Sequence, residues 1–162
     1  MLPFKRILWP TDFSEPSYLA LSAAIELATQ FGSELLIVHV AAPVPRPGWA
    51  LQFYPDPDVY EVELHDYEKA LMDASRRKLD DSIASRVPKL VPIRPILTSG
   101  EAPSEIVRIS REEKADLIVI ATHGLSGWRH LVHGSVTEKV LRMADCPVLT
   151  IRSAEGAVKK AD

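Results

Sequence analysis

Residues 115–121 read ADLIVIA, and the last five of these seven residues are all apolar. A short run that is apolar at every position indicates a strand covered on both faces, as in a parallel sheet. Helical patterns lie on either side of it, over 103–113 and over 135–143. The segment therefore predicts a β-strand between two helices, which is the repeating unit of an α/β protein.

The same alternation continues to both ends of the chain. Four further segments have the length and composition of strands: 5–10, 35–40, 91–100 and 146–152. Between them, apolar residues recur at helical spacing over 14–31 and 59–87. The order β-α-β-α-β-α-β-α-β predicts an α/β fold with a doubly wound parallel sheet and helices on both of its faces.

Several residues predict where these elements end and which sides they bury. Ser14 is an expected N-cap, Gly32 an expected C-terminal stop, and Pro10 an expected end to the first strand. The third strand contains two prolines, Pro92 and Pro95, which places it at a sheet edge. The helix over 59–87 has an apolar stripe that we expect to be buried: Leu64, Tyr67, Leu71, Ala74, Leu79 and Ile83.

The composition predicts one globular domain. The chain has 162 residues, of which 46% are hydrophobic and 25% charged, and its net charge is −3. This balance gives no basic footprint for nucleic acid. A single cysteine excludes an intrachain disulfide, and neither a membrane-spanning run nor a signal-peptide core is expected. We therefore expect a soluble cytoplasmic protein with one domain over 1–152 and a flexible tail over 153–162.

One segment breaks the alternation. Residues 43–58 contain five prolines and three aromatic residues, which predicts a long loop instead of regular structure. Loops of more than about 12 residues are uncommon unless they have a function. The sequence leaves two alternatives open, a plain connection and a flap over a binding site.

Ligands of doubly wound sheets bind at the carboxyl ends of the strands where the strand order reverses. Thr11 and Asp12 follow the first predicted strand. The Asp12 carboxylate at that position can accept a hydrogen bond from a ribose hydroxyl or hold a cation. The alternative is an aspartate that only forms the turn and caps the next helix.

A loop rich in glycine and histidine follows the strand at 115–121. Gly134 and Ser135 stand where a helix begins, and free N–H groups at a helix N-terminus attract anions such as phosphate. Ser135 and Thr137 add hydroxyl groups, although Ser135 could equally be an ordinary cap. The pattern matches neither the P-loop nor the dinucleotide fingerprint, and the spacing of the loop histidines fits no common zinc signature.

Four separated segments resemble the universal stress protein family. They are ILWPTDFSEPSYLAL at 7–21, ELLIVHV at 34–40, SGEAPSEIVRISREEKADLIVIATHG at 99–124 and HGLSGWRHLVHGSVTEKVLRMADCPVLTIR at 123–152. The resemblance covers nearly the whole chain apart from 43–58 and the tail. It implies a five-stranded parallel sheet of the adenine nucleotide alpha-hydrolase type, in the order 3-2-1-4-5.

The resemblance also implies a nucleotide site. Nucleotide-binding members carry the motif glycine, two residues, glycine, nine residues, glycine, and then serine or threonine. In this chain the second glycine is Gly124, and the third glycine with its serine is Gly134-Ser135. Ala121 stands in place of the first glycine. The implied ligands are ATP and the Mg²⁺ that accompanies it, the metal being held by Asp12. The implied nucleotide-binding residues are Pro10, Thr11, Asp12, Val40, Gly124, Gly134, Ser135, Val136 and Thr137.

Three functional hypotheses follow. The first is an ATP-binding stress-response or signalling protein that acts through partner proteins, and the others are a nucleotide-free dimeric interaction module and a slow ATPase. In the family order the last strand, Pro147–Arg152, lies at a sheet edge, and the resemblance implies a homodimer in which two such strands pair.

Overall fold

The computed structural model describes residues 2–46, 56–122 and 136–152. Its elements in chain order are β1 Arg6–Thr11, α1 Glu15–Phe31, β2 Glu34–Ala41, α2 Pro57–Arg86, β3 Ile93–Ser99, α3 Ala102–Glu112, β4 Leu117–Ala121, α4 Val136–Met143 and β5 Val148–Ile151. The strands form one parallel sheet in the order β3-β2-β1-β4-β5. The predicted fold class and strand order are therefore confirmed.

Each face of the sheet carries its own apolar core, because successive side chains of a strand point to opposite faces. One face packs against α1 and the C-terminal part of α2, and we call this the α1–α2 core; it includes Ile7, Trp9, Ala24, Leu35, Leu79 and Val119. The other face packs against α3 and α4, and we call this the α3–α4 core; it includes Leu8, Leu36, Val38, Ile106, Ile118 and Val140. Burying one such aliphatic side chain contributes about 1.5–3 kcal/mol.

The ends of α1 follow the predicted signals. Ser14 is extended, and its Oγ accepts a hydrogen bond from the Ser17 N–H at 3.3 Å. Gly32 has a φ of 67°, the left-handed conformation that glycine adopts without strain, and it ends the helix.

Pro95 is explained by the edge position of β3, whereas Pro92 lies one residue before the strand begins. The Leu35 N–H donates to the Pro92 carbonyl, and the Gly100 N–H donates to the Ala41 carbonyl. The backbone groups of even-numbered residues of β3 therefore face β2, and those of odd-numbered residues face the open edge. The N–H that Pro95 lacks would have pointed to that open edge, so the proline costs the sheet no hydrogen bond.

Helix α2 differs from the prediction in two respects. It begins at Pro57, capped by the Asp56 carboxylate, which accepts from the Asp58 N–H at 2.9 Å. The end of the predicted 43–58 loop is therefore helical, and residues 47–55 of that loop, like the predicted tail 153–162, lie outside the described residues.

The predicted apolar stripe of α2 is also only partly buried. Leu64 and Leu79 are buried, but Tyr67 and Leu71 are 59% and 36% exposed, and Ala74 is exposed as well. The physical reason is length: 30 helical residues span about 45 Å at 1.5 Å each, whereas the eight residues of β2 span about 26 Å at 3.3 Å each. The first part of α2 has no strand of the sheet beside it.

Among the helices in the described ranges, none has the length and apolar character needed to cross a membrane.

Candidate functional site

The ladder between β1 and β4 opens before either strand ends. These strands pair at Ile7–Leu117 and Leu8–Ile118 within the described chain, although β1 continues to Thr11 and β4 to Ala121. The opening lies at the carboxyl ends of the two strands where the strand order reverses. This is the position at which open α/β sheets bind their ligands.

Pro10 accounts for the opening. The Glu34 N–H donates to the Lys5 carbonyl, and the Asp116 N–H donates to the Arg6 carbonyl. Even-numbered residues of β1 therefore present their backbone groups to β4, and Pro10, which has no N–H, interrupts that side. Pro10 does not end the strand as predicted: it remains buried and in register with Val38 of β2, and β1 ends one residue later.

Asp12 follows β1 directly and shapes the turn into α1. Its Oδ1 accepts hydrogen bonds from the Ser14 N–H at 3.0 Å and from the Ser14 hydroxyl at 2.5 Å. The turn-forming role that the sequence left open is therefore present in the structure. A carboxylate has about four acceptor positions, so this role is compatible with a ligand contact as well.

Thr11 and Phe13 complete the turn. The Thr11 hydroxyl lies 3.0 Å from the Ser17 hydroxyl and accepts from the Phe13 N–H at 3.0 Å, and the Thr11 side chain is buried. Its side chain shapes the backbone beside Asp12, and its predicted nucleotide contact stays a prediction. Phe13 has a φ of 63°, a left-handed conformation that is strained for an aromatic residue.

His39 at the end of β2 packs against this turn. Its Nδ1 lies 2.8 Å from the Thr11 carbonyl oxygen, which can only accept, so Nδ1 carries the proton. Its ring centroid lies 4.3 Å from that of Phe13, and the Lys78 ammonium lies 4.7 Å from the Phe13 ring centroid. Burial lowers the pKa of His39 below 6.5, and Lys78 adds to this, against the opposing effects of the Thr11 carbonyl and Asp12.

Val40 lies beyond the end of β1. The pairing of β1 with β2 ends at Thr11–His39, so Val40 and Ala41 extend past it along the carboxyl edge. The Val40 side chain is half-buried and packs against the α3–α4 core. It therefore lies on the face of the sheet that also carries α4.

The first turn of α4 is tied to the end of β4. The buried Thr137 hydroxyl donates to the Ala121 carbonyl at 2.6 Å. The Thr137 hydroxyl therefore anchors the start of the helix, and its predicted contact with the nucleotide stays a prediction. Val136 is 40% exposed at the start of this helix, whereas Gly124, Gly134 and Ser135 lie outside the described residues.

The side chain at position 121 is packed inside the protein. Ala121 is 9% exposed and belongs to the α1–α2 core, together with Trp9 and Val119. Its methyl group therefore points to the face opposite Val40 and α4. The replacement of the family glycine is accommodated by the core on that face.

Asp12, the metal ligand that the resemblance implies, lies within the described residues. Among them, no three His, Cys, Asp or Glu side chains are grouped to hold a metal ion. Asp12 offers the hard oxygen that Mg²⁺ prefers, and Mg²⁺ bound with a nucleotide needs only one or two carboxylates.

The sequence interpretation missed His39, Phe13 and Lys78. A signal for His39 was available, because it is the one polar residue within the apolar run 35–40. Phe13 and Lys78 gave no local signal, since their contact joins the β1–α1 turn to a helix more than 60 residues later.

The fold and the site define a class of protein: a doubly wound α/β protein whose β1–β4 ladder opens towards the carboxyl ends of these strands, beside the start of α4. The model of the universal stress protein family matches residues 3–152. The chain belongs to the universal stress protein family.

Known members share this fold over most of the chain. The universal stress protein YxiE of Bacillus subtilis is 30% identical, with 92% of this chain and 99% of that protein covered. The solved structure of MJ0577 of Methanocaldococcus jannaschii superimposes with a TM-score of 0.74 at 25% identity, with 92% of this chain and 96% of that chain covered.

Two further solved members carry adenine nucleotides. One is a universal stress protein in complex with cAMP, with a TM-score of 0.58 at 23% identity. The superposition covers 92% of this chain and 97% of the cAMP-bound protein. The other is a family protein of Arabidopsis thaliana with AMP bound, with a TM-score of 0.51 at 16% identity. The superposition covers 96% of this chain and 97% of the AMP-bound protein.

Proposed function

We propose that this protein binds an adenine nucleotide, ATP in the first instance, in the crevice between the carboxyl ends of β1 and β4. The observation that carries the proposal is the opening of the β1–β4 ladder after Leu8 and Ile118, at the reversal of strand order. Asp12 stands on one side of this opening, and α4 begins on the other. An acidic group for the ribose and a helix N-terminus for the phosphates then lie at opposite ends of one site.

Six of the nine predicted residues have a stated role in this proposal. Asp12, oriented by its two hydrogen bonds from Ser14, would accept from a ribose hydroxyl. Val40 would contact the adenine ring from the α3–α4 side of the sheet. The phosphates would meet the backbone N–H groups of Gly134, Ser135 and Val136, while Thr137 would hold the helix in place through Ala121.

Mg²⁺ would enter with ATP. As the alternative to its ribose contact, Asp12 would supply a carboxylate oxygen to the metal, and the metal would neutralise phosphate charge. The sequence of the loop contains neither a Walker lysine nor a carboxylate general base, so we expect little hydrolysis.

The two nucleotide-bearing family structures support an adenine nucleotide as the ligand class. Because little ATP would be hydrolysed, the signal would be whether the site holds nucleotide or is empty. A partner protein would bind differently to these two states. We therefore propose a stress-response or signalling role in which nucleotide binding governs contacts with partners.

Calorimetric titration tests the proposal. The protein is stripped of bound nucleotide, and ATP, AMP, cAMP and GTP are titrated separately. We expect heat with the adenine nucleotides and weaker or absent heat with GTP. A lack of heat with all four would overturn the proposal and leave the nucleotide-free interaction module.

A pair of variants locates the site. Asp12→Ala removes a charged acceptor, a loss of about 1.5–3 kcal/mol, so affinity should fall about tenfold or more. Asp116→Ala is the matched control, because Asp116 accepts from the Lys5 and Arg6 N–H groups at 2.7 and 2.9 Å, at the opposite end of the same strand. Equal loss of affinity in both variants would mean that Asp12 acts only through the stability of β1.

A further inference from the structure

His39 follows four fully buried apolar residues of β2, at 35–38. Because side chains alternate along a strand, the His39 ring lies on the same face of the sheet as Leu35 and Ile37, the face of the α1–α2 core. The ring is half-buried there. Burying polar nitrogen atoms costs free energy unless contacts compensate for it, so the contacts of His39 indicate what the residue does at this position.

His39 contacts the residues on both sides of Asp12. Its Nδ1–H donates to the Thr11 carbonyl oxygen at 2.8 Å, and this carbonyl belongs to the planar peptide group that joins Thr11 to Asp12. Its ring centroid lies 4.3 Å from that of Phe13, the residue after Asp12. One side chain therefore restrains the backbone just before and just after the Asp12 carboxylate.

The turn needs this support because the Phe13 backbone is strained. A φ of 63° is a conformation that a bulky residue rarely adopts, and it persists only where the surrounding contacts maintain it. These contacts include the hydrogen bond from the Phe13 N–H to the Thr11 hydroxyl at 3.0 Å. They also include the His39 ring and the Lys78 ammonium, which lies 4.7 Å from the centroid of the Phe13 ring.

A change in the Phe13 backbone would redirect the Asp12 carboxylate. The Asp12 Oδ1 accepts hydrogen bonds from the Ser14 N–H at 3.0 Å and from the Ser14 hydroxyl at 2.5 Å. Phe13 lies between these two residues in the chain. Rotation of the Phe13 backbone towards a common, negative φ would therefore move Ser14 relative to Asp12 and change the orientation of the carboxylate.

His39 also directly precedes Val40, the residue that would contact the adenine ring. The hydrogen bond from His39 to the Thr11 carbonyl joins the strand that carries Val40 to the turn that carries Asp12. His39 therefore helps to fix the position of the carboxylate relative to the proposed adenine contact.

We propose that His39 is a positioning residue of the nucleotide site, which holds the Asp12 carboxylate in place through the Thr11 carbonyl and the Phe13 ring. The inference rests on the proposed function, because it takes Asp12 as a contact to the nucleotide. His39 itself would touch neither the nucleotide nor the metal. Its removal should therefore weaken ATP binding only as far as Asp12 contributes to that binding.

Three variants separate the two contacts of His39. His39→Asn keeps an N–H donor close to the position of Nδ1 and loses the ring, His39→Phe keeps a ring and loses the donor, and His39→Ala loses both. Calorimetric titration should show ATP affinity about fivefold or more below that of the wild type in His39→Ala. It should lie between these two values in His39→Asn and His39→Phe. Unchanged affinity in His39→Ala would overturn the inference.

A double-mutant cycle with Asp12→Ala distinguishes positioning from a general loss of structure. If His39 acts through Asp12, adding His39→Ala to Asp12→Ala should leave ATP affinity within about twofold of that of Asp12→Ala alone. If His39→Ala weakens binding equally with and without Asp12, His39 acts by another route and the inference is wrong.

Ile37→Val is the matched control for stability. Ile37 is fully buried on the same face of the same strand, but it is paired with Trp9 instead of Thr11. The change lowers stability by removing a buried methyl group, and ATP affinity should stay at the wild-type value. A loss of affinity like that of His39→Ala would mean that binding follows stability, which contradicts a positioning role.

Hydrogen exchange in the protein without nucleotide tests the support of the turn directly. The Phe13 and Ser14 N–H groups donate within the turn, whereas the Leu35 N–H donates to the Pro92 carbonyl at the other end of β2. His39→Ala should accelerate exchange of the first two amides about tenfold more than that of Leu35. Equal acceleration of all three amides, or none, would contradict the inference.

The inference and the proposed function fail in different ways. A wild type that binds none of the nucleotides overturns the proposed function and, with it, a positioning role for His39. A wild type that binds ATP, together with unchanged affinity in His39→Ala, overturns the positioning role alone.

Discussion

Ala121 departs from the glycine of the family pattern, yet its methyl group is part of the α1–α2 core. We predict that Ala121→Gly leaves ATP affinity within about twofold and lowers the free energy of unfolding by about 1–2 kcal/mol, the cost of a lost methyl and of glycine in a strand. Calorimetry and urea denaturation measure the two quantities. A much tighter complex would mean that the methyl obstructs the ligand.

His39 packs against the β1–α1 turn, and its protonation makes the stability of the protein depend on pH. Its pKa lies below the value of 6.5 expected in the unfolded chain, mainly because of burial. As the pH falls, the unfolded chain binds the proton first, so stability falls from about pH 6.5 until the folded pKa is passed. We predict a shallower fall between about pH 7.5 and 5.5 in His39→Gln, which has no titrating ring.

Urea denaturation across this range gives the two slopes. Titration of the His39 ring by NMR is the direct check, and a midpoint at or above 6.5 would contradict the prediction.

At the scale of the elements, the strands and most helix ends could be predicted because their signals are local. Five apolar runs, the Ser14 cap, the Gly32 stop and the edge prolines each act within a few residues. The exposure of Tyr67 and Leu71 could not be predicted, since it depends on how far α2 extends past the sheet. The contact of His39 with Thr11 likewise requires the register between two strands.

Within the described sheet β5 is an edge strand, which allows a direct test of the predicted homodimer. Ile118 and Thr122 donate to the carbonyls of Pro147 and Ile151, so odd-numbered residues of β5 face β4, and Thr150 faces the open edge. We predict that Thr150→Pro abolishes pairing with a second β5 and leaves the β4–β5 ladder intact.

Analytical ultracentrifugation at micromolar concentration should give a dimer for the wild type and a monomer for Thr150→Pro. Thr150→Val is the control, because it keeps the backbone N–H, and it should remain a dimer. A monomeric wild type would refute the homodimer.

For the molecule as a whole, two cores on opposite faces of one sheet share the stability, and α2 packs against one of them through its C-terminal part, while Leu64 is buried in its first part. We predict that Leu79→Ala lowers the free energy of unfolding by about 2–5 kcal/mol, since Leu79 is fully buried. Leu71→Ala, the same change two turns earlier, should cost less than about 0.5 kcal/mol. Urea denaturation of both variants checks this, and comparable losses would mean that the first part of α2 is also packed.

The overhang of α2 has a mechanical consequence. The helix packs on the sheet near Leu79, and it runs antiparallel to the strands, so its first part projects past the edge of the sheet that holds Asp12. Val59 lies 20 residues from Leu79, or about 30 Å along the axis. A tilt of only about 5° at the fastened end would therefore carry Val59 through roughly 2.6 Å. Because Lys78 of α2 lies over the Phe13 ring of the β1–α1 turn, a displacement of that turn that tilts the helix would move Val59 farther than Leu79.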